Sequence, residues 1–172
     1  MDSFFIRKGI KLKSLLNGGQ QENGLRAGTE NVASIVGMAT ALKLNCERME
    51  ENVEHLENLT ARLRDGIDRI FPDAIYLGDG VAGQLPGFTS VSFSGHPAEG
   101  LLHMLDLKGI AVSTGAACDS KNTQISHVLK AVNVTNEIAR STIRFTFGPE
   151  NTVAEVDAIL AALKRILMGA GK

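Results

Sequence analysis

Residues 142–157 read Thr-Ile-Arg-Phe-Thr-Phe-Gly-Pro-Glu-Asn-Thr-Val-Ala-Glu-Val-Asp. The first six alternate, with Thr142, Arg144 and Thr146 on one face and Ile143, Phe145 and Phe147 on the other. Successive side chains of an extended segment point to opposite faces, so this pattern predicts a strand with one packed face. Thr152-Val153-Ala154-Glu155 then forms a capping box, which places a helix over Val156 to Met168.

Working upstream, the same alternation of strand and helix recurs. Phe88 to Phe93 sets Phe88, Ser90 and Ser92 against Thr89, Val91 and Phe93, and Gly95-His96-Pro97 opens a helix running through Leu107 with proline in its first turn. Ile110 to Ser113 is a third strand candidate, and Ser126 caps a short helix to Val132. Met49, Val53, Leu56, Leu59, Leu63, Ile67 and Ile70 keep one apolar stripe at helical spacing, ended by Pro72 and the Gly78 to Gly83 region, with Ala74 to Leu77 as a short strand between them. A preceding series, Val32, Ile35, Val36, Ala39 and Leu42, makes a second helix or the first part of one bent helix, and Thr29 is its expected N-cap. Ser3 to Arg7 reads as a short strand, and Asn17 to Gly28, with four glycines, reads as a long loop. The class expected is α/β or α+β, with a single sheet covered by helices.

With 172 residues, 44% hydrophobic and 22% charged, the chain has the balance of an ordinary globular domain. Eighteen basic against nineteen acidic side chains give a formal charge of -1, so the basic footprint of a nucleic-acid binder is missing. The longest apolar runs fall far short of the roughly 20 residues that cross a bilayer. The first ten residues lack an apolar core followed by a cleavage site, so no membrane contact and a cytoplasmic location are expected. Cys46 and Cys118 are expected as free thiols, and two cysteines do not make a structural zinc site unaided. His55, His96, His103 and His127 show no metal spacing, so no metal is expected.

Three places are candidates for chemistry. Cys118 follows the small-residue run Ser113-Thr114-Gly115-Ala116-Ala117 and precedes the polar residues 119–124, a setting for an exposed, nucleophilic thiol or for a cysteine buried at a strand end. Cys46 reads as structural. The glycine-rich loop before Thr29, with Arg26 beside it, is either a phosphate site at a helix start or a plain loop; it matches neither familiar nucleotide fingerprint. Arg144, on an otherwise packed strand, is either a bidentate grip for a carboxylate or phosphate or part of a solvated face.

Three stretches, NGGQQENGLRAGTENVASIVG at 17–37, VSTGAACDS at 112–120 and IRFTFGPENT at 143–152, resemble in order and spacing the C-terminal half of cysteine desulfurases. These are pyridoxal-phosphate enzymes of the class V aminotransferase family. LPGFTSVSF at 85–93 and SHVLKAV at 126–132 extend the likeness over nearly the whole chain. The polar spacing between Cys118 and His127 resembles the long loop of the iron-sulfur-assembly and nitrogenase-associated branch.

The resemblance implies a small C-terminal domain of a fold type I enzyme, with a short, mainly antiparallel sheet packed with helices. It implies that residues 1–30 normally belong to the large cofactor domain and residues 31–172 to the small domain. It further implies that Cys118 attacks the substrate sulfur and becomes a persulfide while L-cysteine leaves as L-alanine, and that Arg144 holds the substrate carboxylate. Thr29 would reach the cofactor phosphate of the other subunit of a homodimer, and a sulfur acceptor or scaffold protein would take the sulfur. The family's Schiff-base lysine, in a Ser-x-His-Lys setting, has no counterpart: no histidine is followed by lysine and none of the nine lysines lies in such a context. The chain is therefore expected to be inactive alone and to depend on a missing N-terminal half for its cofactor. The alternatives are a non-catalytic dimerisation or scaffold module and a stand-alone persulfide carrier.

Overall fold

A computed structural model describes residues 4–79, 84–114 and 127–169, with only the backbone of His127. The chain forms two compact units, Met1–Met49 and Glu50–Lys172.

In the first unit, a glycine-rich stretch leads through a 3-10 turn at Gln21–Gly24 into helix α1, Val32–Glu47. Phe4 to Arg7 form no strand; Phe4 and Phe5 are exposed, and the Ile10 amide bonds back to the Arg7 carbonyl in a turn. An extended segment becomes a strand only with a neighbour to pair with, and none of the described residues supplies one. α1 starts two residues later than Thr29 would place it. Asn31 is its N-cap, and its Oδ1 accepts from the Ser34 amide at 3.1 Å. Thr and Asn are comparable caps, and the one whose side chain reaches the third helical amide sets the boundary. The helix ends at Glu47, with Arg48 between it and α2, Met49–Ile70, so the two apolar series are two helices.

The second unit is built on one four-stranded sheet of β1 (Ile75–Tyr76), β2 (Phe88–Ser92), β3 (Ser113–Thr114) and β4 (Thr142–Thr146), in the order β1-β2-β4-β3 with every pair antiparallel. The helices are α2, α3 (Ala98–Asp106), α4 (His127–Ala131), α5 (Asn136–Arg140) and α6 (Val153–Gly169). One face of the sheet carries Val91, Phe93, Ile143, Phe145 and Phe147 into a core with Leu59, Leu63 and Ile67 of α2, Leu101 and Leu105 of α3, and Val156, Ile159 and Leu163 of α6. Burying each such side chain is worth about 1.5–3 kcal/mol. At Gly66 a Cβ would collide with the Leu160 side chain, so α2 and α6 approach closely there. Arg62 and Asp157 tie the same two helices with a two-pronged bond at 2.7 and 2.8 Å.

The capping box forms as written. The Thr152 amide donates to Glu155 Oε2 at 2.7 Å, and the Glu155 amide donates to Thr152 Oγ1 at 3.3 Å. The helix starts at Val153, directly after its cap, not at Val156. The strand expected over Ile110 to Ser113 narrows to Ser113–Thr114, because the Ile110 amide closes the end of α3 on the Leu105 carbonyl. Ser126, expected to cap α4, lies outside the described residues. Helix α5, capped by Thr135, was not expected, nor was its place over the end of the sheet's other face. There Ser92 Oγ lies 2.7 Å from Ser141 Oγ, and Thr142 Oγ1 donates to the Ile138 carbonyl at 2.7 Å.

Candidate functional site

α5 covers only the Ser92 and Thr142 end of the outer face. The remainder of that face is centred on Arg144. Its cross-strand partners are Ser90 on β2 and Ser113 on β3, both small and half-buried, while its chain neighbours Ile143 and Phe145 point into the core. The Arg144 guanidinium carbon lies over the Phe88 ring, 5.4 Å from its centre. Its Nε is sealed from solvent and has no hydrogen-bond partner among the described residues. A guanidinium is charged at any ordinary pH and only donates. A buried N–H left unpaired is costly, so among the described residues this cation has unmet donor capacity, which suits a carboxylate or phosphate.

β3 leads into the segment bearing Cys118, which lies outside the described residues. Along the chain Cys118 follows Ser113, the cross-strand partner of Arg144, by five residues.

Thr29 belongs to the first unit. It is exposed, and its hydroxyl makes no hydrogen bond among the described residues. Gly28 (φ +100°) precedes it in a conformation that side chains rarely adopt, its amide donates to Gln21 Oε1 at 3.3 Å, and the Arg26 guanidinium lies beside it. An unengaged hydroxyl, a nearby guanidinium and the positive end of the sixteen-residue α1 fit the phosphate end of a pyridoxal cofactor. No lysine sits in the sequence setting that would anchor the ring end.

Cys46, read as structural, is exposed on α1. His55 has its Nε2 2.8 Å from the Asn151 carbonyl and ties α2 to the turn before α6. Among the described residues no three His, Cys, Asp or Glu side chains cluster as metal ligands, and no helix is long and apolar enough to cross a membrane. Away from Arg144, the Tyr76 hydroxyl donates to Asp68 at 2.6 Å, and burial first, then that bond, pushes its pKa well up. The sequence reading missed Phe88, Ser90 and Ser113 as neighbours of Arg144; only the antiparallel register brings them together.

The family description "Aminotransferase class-V" matches residues 9–159. The chain belongs to the class-V aminotransferase family. It is 41% identical over 165 residues to the cysteine desulfurase IscS of Dictyoglomus turgidum, a match covering 96% of this chain and 42% of that protein. It is 39% identical over 165 residues to that of Methanosarcina thermophila, covering 96% and 40%. Among solved structures, a NifS-like protein superposes with a TM-score of 0.82 at 36% identity, covering 95% of this chain and 41% of that one. The NifS-like protein from Rickettsia africae does so with a TM-score of 0.82 at 30% identity, covering 92% and 41%. The short antiparallel sheet packed with helices is thus the fold of a part of these pyridoxal-phosphate fold type I proteins. The chain spans about two fifths of the length of the curated class-V relatives it matches.

Proposed function

We propose that this class-V chain is the sulfur-handling part of a cysteine desulfurase and that its cofactor-anchoring lysine lies on residues outside it. The observation that supports this most directly is the pairing of Ser113 with Arg144, since the chain runs from β3 toward Cys118 and the neighbouring Arg144 Nε has no partner among the described residues. Arg144 holds the carboxylate of L-cysteine. The Cys118 thiolate attacks the substrate sulfur and the substrate Cβ–Sγ bond breaks. The electron pair of that bond stays with the carbon, which takes a proton and leaves as the methyl of L-alanine. The sulfur remains on Cys118 as a persulfide and passes to an acceptor protein, as iron-sulfur cluster assembly requires.

Pyridoxal phosphate, when bound, supplies the electron sink that weakens the substrate's bonds. In this reading Thr29 and Arg26 hold the phosphate of a cofactor seated on the other copy of a homodimer. Residues 1–30 go with the large cofactor domain and residues 31–172 with the small one.

The test is trans-complementation. Given pyridoxal phosphate and L-cysteine, the chain alone makes no alanine. Joined by the lysine-bearing remainder of a relative, it makes alanine and carries sulfur on Cys118, and Cys118→Ala loses both. Alanine from the chain alone would overturn the reading; complemented turnover and sulfur delivery unchanged by Cys118→Ala would replace it with a scaffold role.

A further inference from the structure

Among the described residues Arg144 lacks what usually fixes an arginine. No described residue hydrogen-bonds its Nε, and the residues opposite it on both neighbouring strands are serines too short to hold a guanidinium. A free arginine side chain carries about 2 kcal/mol of rotamer entropy, which a ligand must overcome when it selects one orientation. The guanidinium does meet an aromatic ring: Phe88, on β2 and two residues before Ser90 on the same face, has its ring centre 5.4 Å from the guanidinium carbon, within the range of a cation–π contact. Phe88 is 42% exposed on the face of the sheet away from the core, whereas Thr89 and Val91 on the same strand point into the core. A large apolar side chain left exposed there contributes little to folding, so its place under the cation needs another reason.

We propose that Phe88 is a positioning residue for Arg144. Its ring blocks one face of the guanidinium and holds the fork aimed at a ligand carboxylate arriving in the guanidinium plane. This rests on the reading of Arg144 as the carboxylate grip, and it adds a residue through which that grip gains affinity before any chemistry.

The test uses the full chain, labelled with nitrogen-15, and follows the Arg144 Nε–H resonance, assigned by its loss in Arg144→Lys. L-Alanine is the carboxylate probe and sodium chloride the control anion. In the wild type the resonance is displaced by the Phe88 ring and responds to L-alanine but not to chloride at equal ionic strength. Phe88→Leu moves the resonance and weakens L-alanine binding about two- to fivefold, the cation–π range for an exposed pair, while amide resonances of the core stay in place. Phe88→Tyr, which keeps the ring, restores both. Wild-type affinity in Phe88→Leu, or no restoration in Phe88→Tyr, overturns the positioning role and leaves the carboxylate grip standing. A wild-type chain indifferent to L-alanine removes the grip itself, and this role with it.

Discussion

α1 and α2 are consecutive helices written in different codes. α2 carries one apolar stripe, which buries Leu59, Leu63 and Ile67, and turns charged residues such as Glu50, Glu51 and Arg69 outward. α1 has only Lys43 and Glu47 as charges, shows apolar side chains around its circumference, and buries none of them; Val32, Val36, Leu42 and Leu44 are all exposed. A stripe describes a helix with a core on one side and water on the other, whereas an all-round apolar helix describes one enclosed on several sides. The Glu50–Lys172 unit therefore contains its own core, and Met1–Met49 is composed for surroundings that it does not itself contain. In the proposed reading the remainder of a class-V fold provides them.

The contrast can be broken most sharply by matched truncations. Leu63→Ala, in the core, should cost about 2–5 kcal/mol in urea unfolding, while Leu42→Ala on α1 should stay within about 0.5 kcal/mol. Comparable losses would mean that α1 is part of the same core. Gly87 comes next: its φ is +78°, and a Cβ there would stand 2.8 Å from the Phe147 carbonyl oxygen where β2 meets the end of β4. Gly87→Ala should destabilise by about 1–3 kcal/mol, read as a lower urea midpoint with an unchanged slope.

Smaller effects sharpen the account of α6. Thr152→Ala removes the cap and should cost about 1 kcal/mol in the same assay. The Thr152 amide above all, then the Asn151 side chain and the Thr152 hydroxyl, hold the Glu155 carboxyl below its ordinary 4.5. Because the folded value is the lower one, this contribution is complete above about pH 4.5 and fades as pH falls through the folded value. Glu155→Gln should flatten the acid limb of a stability–pH curve, and an unchanged limb would deny the box its part. Least of all, Thr89 on the core-facing side of β2 buries an Oγ1 with no partner among the described residues, so Thr89→Val should raise the melting temperature slightly.

Much of the second unit was legible because its signals are local and repeated. The alternation in β4, the box before α6 and the stripe of α2 each state a period that packing then obeys. Thr29 misled because two good caps stand two residues apart, and only the reach of Asn31 to the Ser34 amide separates them. α5 escaped because five residues are too few to show a period. The surroundings of Arg144 were illegible for another reason. Phe88, Ser90 and Ser113 are far from it in sequence, and nothing short of the antiparallel register says that they meet. Arg144 itself could be singled out beforehand, since a cation among packed residues is conspicuous in any strand.

In the proposed reading this chain handles sulfur while its cofactor's covalent anchor lies elsewhere. Borohydride reduction of the purified chain with added pyridoxal phosphate, followed by peptide mapping, tests it most directly. The account predicts weak labelling scattered over surface lysines; near-stoichiometric labelling of one lysine would contradict it and make the chain a candidate complete catalyst.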